Sequence, residues 1–208
     1  MKTQRLSVLL IGIIGLVMLA TGCPGQLGGD PDPDASTDMG GDFEVDESDH
    51  YYYVLVRDLE DSAPNDWGTN GSEIDAIALI HDGSSNFADR VDESGFGTGE
   101  TSYTDVNQIL GPPQGGDAGV CETENPHFIS LGGTGGTGGY VIVSFYENGV
   151  AGDRQEIVAD DVIRVYECGD DVERYEASIG IGTSVTDPGW IICGASMSGV
   201  AECVVPEL

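Results

Sequence analysis

Carboxylates are the side chains of this sequence with the most chemistry to offer, and Asp75 is the most unusual of them. It lies inside the apolar run 73–80, which reads EIDAIALI. Burying a carboxylate is costly unless a cation or metal ion compensates its charge. Further acids lie nearby in sequence, such as Asp58, or in a second group that contains Asp161 and Glu167. Calcium binds six to eight oxygen ligands, and these acids could supply several of them. We therefore predict a bound calcium ion.

Two other readings of Asp75 need no metal. Its side chain could point to solvent at a strand edge, or it could accept hydrogen bonds from backbone N–H groups. Arginine partners are scarce, because the sequence has 7 Lys+Arg against 37 Asp+Glu and a net charge of -30. After residue 22 the only bases are arginines, namely Arg57, Arg90, Arg154, Arg164 and Arg174.

This charge balance excludes several function classes. No basic patch is available to neutralise phosphates, so we predict no binding to nucleic acid. The glycines Gly133, Gly135 and Gly138 match a dinucleotide fingerprint by letter, but an apolar strand pattern follows them where a helix is required. We therefore expect no nucleotide cofactor.

The sequence offers little for catalysis. His50, His81 and His127 are scattered, and none is in a recognisable triad context. Carboxylate pairs of the glycosidase type arise by chance in so acidic a chain. We predict that the protein is not an enzyme, with a hydrolase kept as the less favoured alternative.

The cysteines predict two disulfides. If Cys23 is set aside, Cys121, Cys168, Cys193 and Cys203 remain, and an even number in an exported protein favours disulfide bonds. The turn-rich stretch between Cys193 and Cys203 favours that pair, which leaves Cys121 to bond Cys168. One zinc ion held by four thiolates is the alternative, but no C-x2-C pair supports it.

The secondary-structure elements that position the acids and cysteines are predicted to be β-strands. Short β-rich runs separated by loops rich in Gly, Asp, Asn and Pro predict an all-β fold, an antiparallel β-sandwich of the jelly-roll type. The predicted strands are 51–56, 73–80, 127–131, 140–146, 161–167, 174–181, 190–193 and 202–205. We predict that residues 50–208 form this domain.

The N-terminal residues resemble the signal peptide of a bacterial lipoprotein. Lys2 and Arg5 precede the apolar run 8–20, which is too short to span a bilayer, and the end of the signal reads LATGC. The resemblance implies that residues 1–22 are removed, that Cys23 carries lipid such as palmitate, and that the protein lies in the outer membrane. Residues 23–49 are acidic and rich in Gly and Pro, which predicts a disordered tether.

Four segments resemble the discoidin-like, galactose-binding-like domains of bacterial surface proteins. They are residues 109–115 (ILGPPQG), 129–133 (ISLGG), 140–145 (YVIVSF) and 161–167 (DVIRVYE). Segments 53–58 and 73–79 look like strands that those domains carry at their C-terminal end, which implies a circular permutation. The resemblance also implies a structural calcium ion, with Asp75, Asp161 and Glu167 as ligand candidates and Asp58 close in sequence.

The predicted function is a lipid-anchored, non-catalytic binding module of the cell envelope. It would contact the membrane through its lipid only and bind glycan or another surface component. Trp67 and Tyr103 lie in loop-like contexts and are the candidates for stacking on a sugar, whereas Trp190 reads as a core residue. The alternative is a structural envelope protein that recognises another protein.

Overall fold

The fold is built from β-strands, as the sequence predicts. The computed structural model describes residues 50–59, 71–97, 102–114, 127–132, 138–168 and 173–207. Within these ranges there is no α-helix, and one short 3-10 helix spans Val106–Ile109. The strands are β1 Tyr53–Asp58, β2 Glu73–His81, β3 Ser84–Phe87, β4 Arg90–Gly95, β5 Ile129–Ser130, β6 Tyr140–Ser144, β7 Val162–Glu167, β8 Tyr175–Gly180, β9 Ile191–Met197 and β10 Ala201–Val204.

These strands form two antiparallel sheets. The first has the order β4-β6-β1-β8-β9, and the second has the order β10-β7-β2-β3, with β5 also paired to β2. At most of its connections the chain passes from one sheet to the other, as in a jelly roll. The predicted antiparallel β-sandwich is therefore confirmed. None of the described residues belongs to a helix with the length and apolar character needed to cross a membrane.

The main core lies between the two sheets. In β1, Val54 and Val56 are fully buried in this core, together with Ile77 and Leu79 of β2. The alternate residues Tyr53 and Leu55 point to the other face of the first sheet, against Trp190. Trp190, predicted as a core residue, is half-buried on this outer face and does not belong to the core between the sheets. Each aliphatic side chain buried in this way contributes roughly 1.5–3 kcal/mol.

Strands β3 and β4 were not predicted from the sequence. They read SSNF and RVDESG, and their residues are half-buried or exposed. Both lie at the edge of a sheet, where a strand pairs on one side only. Their polar composition therefore lacks the apolar signal by which the other strands were found.

The predicted disulfide between Cys193 and Cys203 is present. It joins β9 to β10, whose Cα atoms are 5.5 Å apart at the bridge, and so links the edges of the two sheets. This bond overturns the alternative of a four-thiolate zinc site. Cys168 is also disulfide-bonded. Cys121, like Cys23 and the predicted tether, lies outside the described residues, so the pairing of Cys121 with Cys168 stays a prediction.

Candidate functional site

Three buried glutamates, Glu73, Glu167 and Glu173, form the acid cluster. One carboxylate oxygen of each lies within 4.8 Å of those of the other two. The three residues are only 1%, 1% and 3% exposed, respectively. Three ionised carboxylates this close and this dry repel one another, so the cluster needs a proton or a bound cation.

Two of these glutamates are brought together by strand register. Glu73 is the first residue of β2 and Glu167 is the last residue of β7. The strands run antiparallel with Ile74 opposite Glu167, and the backbone N–H of Cys168 donates to the carbonyl oxygen of Glu73 at 2.9 Å. The beginning of one strand and the end of the other therefore meet at the same edge of the second sheet.

The third glutamate lies just before a strand of the first sheet. Glu173 lies two residues before β8, whose first residue, Tyr175, is opposite Asp58 at the end of β1. Asp58 is 2% exposed, and its Oδ1 accepts a hydrogen bond from Ser72 Oγ at 3.4 Å. The charge of Asp58 acts on Glu173 together with those of the other two glutamates. The acid cluster therefore connects the ends of both sheets.

The electrostatics of the acid cluster favour one bound proton when no cation is present. Burial raises the pKa of Glu173 to about 9, with further contributions from the charges of Glu73, Asp58 and Glu167. Glu173 Oε2 is buried, and among the described residues it has no hydrogen-bond partner. An oxygen in that position can coordinate a cation that enters the cluster.

The turn between β9 and β10 holds the carboxylate of Glu167. The backbone N–H of Gly199 donates to Glu167 Oε2 at 2.8 Å, and the hydroxyl of Tyr175 donates to the carbonyl oxygen of Gly199 at 2.7 Å. Gly199 has φ +60°, a left-handed conformation that favours glycine. The Cys193–Cys203 disulfide spans this turn. Glu167 is thus oriented by a cross-linked turn.

The donor set of the acid cluster fits calcium. Its ligands are carboxylate oxygens only, and oxygen donors suit hard cations such as calcium and magnesium. Zinc sites usually include thiolate or imidazole donors, and the acid cluster contains neither. Calcium accepts irregular geometry and bidentate carboxylates, whereas magnesium requires a near-ideal octahedron and retains several waters. A buried group of three glutamates is therefore better suited to calcium.

Of the four predicted calcium ligands, Glu167 belongs to the acid cluster and Asp58 adjoins it. Asp161 does not, because it lies just before the opposite end of β7. At about 3.3 Å per residue, the six steps to Glu167 correspond to roughly 20 Å along the strand. Asp161 instead accepts hydrogen bonds from Val158 N at 3.0 Å and contacts His81 Nδ1 at 2.7 Å. One ion cannot bind both Asp161 and Glu167.

Asp75 also lies outside the acid cluster. The register of β2 with β7 shifts between Ile74 and Ala76, which leaves Asp75 at a β-bulge. Asp75 is 4% exposed, and its Oδ1 accepts a hydrogen bond from the backbone N–H of Gln114 at 3.2 Å. This contact supports the alternative in which Asp75 accepts backbone hydrogen bonds.

The two predicted sugar-stacking residues have different outcomes. Trp67 lies outside the described residues. Tyr103 is half-buried and stacks on Phe128, with ring centroids 4.7 Å apart. One face of the Tyr103 ring is therefore covered by this packing, and its role in sugar binding stays a prediction.

Sequence reasoning did not identify Glu73 and Glu173 as ligands. Glu73 stands at the beginning of the apolar run that drew attention to Asp75, only two residues away. Glu173 precedes β8 in a stretch that reads DDVERYE, where nothing marks one acid as buried. At Glu73 the available signal was a carboxylate directly before the first apolar residue of a strand, and Glu173 had no such signal.

Comparison with known proteins assigns no family to this chain. It matches no protein-family model, no curated protein and no solved structure.

Proposed function

We propose that this protein is a lipid-anchored, non-catalytic binding module of the bacterial envelope whose β-sandwich is completed by a calcium ion. In this proposal the lipid on Cys23 attaches the protein to the outer membrane, and the domain binds glycan or another surface component. The observation that carries the calcium part is the acid cluster, in which three glutamates approach within 4.8 Å of one another in the interior.

The burial of the acid cluster favours a structural ion over a catalytic one. With exposures of 1–3% for Glu73, Glu167 and Glu173, a substrate could not reach a metal held among them. Catalytic metal sites keep an open coordination position for water or substrate. An ion here would instead neutralise the carboxylates. It would also link β2 and β7 of the second sheet to the residues just before β8 of the first sheet.

Thermal unfolding with and without calcium tests the calcium part of this proposal. An ion that binds only the folded state raises the stability by RT ln(1 + [L]/Kd), about 2.7 kcal/mol at a hundred times Kd. We expect the melting temperature of the chelator-treated protein to rise on adding calcium and to fall again with excess chelator. An unchanged melting temperature at millimolar calcium would reject the ion.

Membrane fractionation tests the lipid anchor separately. Replacing Cys23→Ser removes the thiol that would carry the lipid, and we expect the protein to leave the membrane fraction. A Ser36→Ala replacement in the predicted tether is the control, because it changes a nearby residue and leaves the LATGC motif intact. Membrane retention of the Cys23→Ser protein would contradict anchoring through this residue.

One observation favours a second candidate, recognition of another envelope protein. Ile192 and Val204 are 53% and 59% exposed, and each is adjacent in sequence to one cysteine of the Cys193–Cys203 bridge. If these side chains adjoin across the bridge, they would form a small exposed apolar area where another protein could dock. Pull-down from envelope extracts, compared between the native chain and an Ile192→Ser variant, tests this candidate. Loss of one captured protein in the variant would favour it.

A further inference from the structure

A polar cleft lies away from the acid cluster, between the β2–β3 hairpin and the loop that leads from β6 to β7. Its volume is about 390 Å³, within the range of about 300–1,000 Å³ typical of small-molecule sites. The hairpin side contributes Ser84, Ser85 and Asn86, and the loop side contributes Tyr146, Asn148 and Gln155. The lining therefore combines hydroxyl groups, side-chain amides and one aromatic ring.

Several of these side chains are held in place by contacts across the cleft. Asn86 Nδ2 donates to Gln155 Oε1 at 2.6 Å and to the carbonyl oxygen of Tyr146 at 3.2 Å. Arg154 Nη2 donates to the hydroxyl of Tyr146 at 3.1 Å. The guanidinium of Arg154 also lies 4.5 Å from the centre of the Tyr53 ring. The amides of Asn86 and Gln155 and the ring of Tyr146 are thus oriented before any ligand arrives, which lowers the entropic cost of binding.

The charge of the cleft selects against anions. Asp82 and Glu147 contribute its carboxylates, and none of the described lining residues is a lysine or an arginine. The guanidinium groups of Arg154 and Arg90, which lie beside the cleft, are both already hydrogen-bonded to Tyr146. The imidazole of His81 also lines the cleft, but it is paired with the carboxylates of Asp161 and Asp82. Phosphates, sulfates and acidic sugars would therefore meet a net negative charge here.

We propose that this cleft binds a neutral oligosaccharide. With Asn86 Nδ2 and Gln155 Oε1 already bonded within the protein, Asn86 Oδ1 is available as an acceptor and Gln155 Nε2 as a donor. An acceptor and a donor side by side match the paired hydroxyl groups of a sugar ring. Arg154 covers one face of the Tyr146 ring, with its guanidinium 5.5 Å from the ring centre, so a sugar would stack on the other face while the hydroxyl stays hydrogen-bonded to Arg154. This inference rests on the proposed role as an envelope binding module, and it places the ligand at residues other than Trp67 and Tyr103.

The test uses the full-length chain, solubilised in detergent and supplied with calcium, on an array of neutral and acidic oligosaccharides. We expect binding to at least one neutral oligosaccharide and none to the acidic ones. For that oligosaccharide, Tyr146→Ala and Asn86→Ala should each weaken binding at least tenfold. Tyr146→Phe keeps the ring and should stay within threefold of the native chain.

The matched control is Asn107→Ala, which removes an exposed amide from the short 3-10 helix outside the cleft and should leave binding unchanged. The melting temperature of each variant shows whether it folds. Native affinity in folded Tyr146→Ala and Asn86→Ala proteins would overturn the proposal. Absence of binding to every neutral oligosaccharide would also overturn it. The calcium response of the same samples reports on the acid cluster alone, so the two proposals can fail independently.

Discussion

Glu73 and Glu173 belong to different halves of the sandwich, yet a carboxylate oxygen of one lies within 4.8 Å of a carboxylate oxygen of the other. Glu73 begins a strand of the second sheet, and Glu173 leads into a strand of the first. Their repulsion opposes closure of the sandwich at this end unless a proton or a cation lies between them. This relationship makes the stability of the domain sensitive to calcium and to pH.

Replacing Glu173→Gln should separate the two ways of neutralising the acid cluster. Glutamine keeps the shape of the protonated glutamic acid but provides a weaker, uncharged ligand. We expect the chelator-treated variant to melt above the native protein at pH 7, because the native chain must take up a proton at Glu173 on folding and glutamine need not. Its melting temperature should rise much less on adding calcium. Glu207→Gln is the matched control, since it alters an exposed glutamate. A full calcium response in the Glu173→Gln protein would exclude Glu173 as a ligand.

The stability of the calcium-free protein should fall as the pH rises. The pKa of Glu173 is raised from 4.5 to about 9 by burial and neighbouring carboxylates, so the folded state holds its proton more tightly than the unfolded chain does. Its contribution is fully present below about pH 4.5 and is lost progressively up to about pH 9. We expect melting temperatures in chelator to decline across this window, and Glu173→Gln to flatten the decline. An equal slope in both proteins would contradict the assignment of this proton.

Removing the Cys193–Cys203 bridge should weaken both the fold and the calcium response. The bridge closes a loop with a sequence separation of 10, which in the chain-entropy model contributes about 3 kcal/mol. It also spans the turn in which Gly199 donates to Glu167. We expect the Cys193→Ser, Cys203→Ser double variant to unfold at lower denaturant and to bind calcium more weakly. Unchanged calcium affinity in the folded double variant would show that the turn does not orient Glu167.

Gly71 should tolerate no side chain, because of its place beside Asp58. It has φ +82°, and an added Cβ would lie 2.3 Å from Asp58 Oδ2 and 2.9 Å from the backbone carbon of Gly132. Gly83 is the matched control, since it has φ +76° with nothing within 4 Å of an added Cβ. In both variants the alanine must adopt a left-handed backbone conformation, which lowers the free energy of unfolding by about 1 kcal/mol. We expect Gly71→Ala to lose clearly more than this in chemical denaturation, and an equal loss in both would refute the steric account.

The strands that could be predicted from the sequence are those whose buried positions are occupied by apolar residues. Val54 and Val56 alternate with Tyr53 and Leu55, and both sets are buried against different layers. The edge strands β3 and β4 carry polar residues, because one side of each faces no neighbour, and their pairing depends on β2 and β6. Sequence alone had no local signal for them.

The candidate site was only partly predictable for a related reason. Glu167 was predicted from the resemblance and Asp58 from its closeness to Asp75 in sequence. Glu73 and Glu173 become neighbours only through the register of β2 with β7 and the closure of the two sheets. The bulge after Ile74 also moved Asp75 away from the place that a regular strand would give it. Strand register, sheet closure and the bulge depend on contacts between segments far apart in sequence, and a single sequence does not show those contacts.

A crystal structure of the protein grown with calcium would test the central claim most directly. We predict one anomalous peak within the acid cluster, with oxygens of Glu73, Glu167 and Glu173 at about 2.3–2.6 Å from the ion. A cluster with no peak at millimolar calcium, or an ion bound at Asp75 or Asp161 instead, would contradict the account.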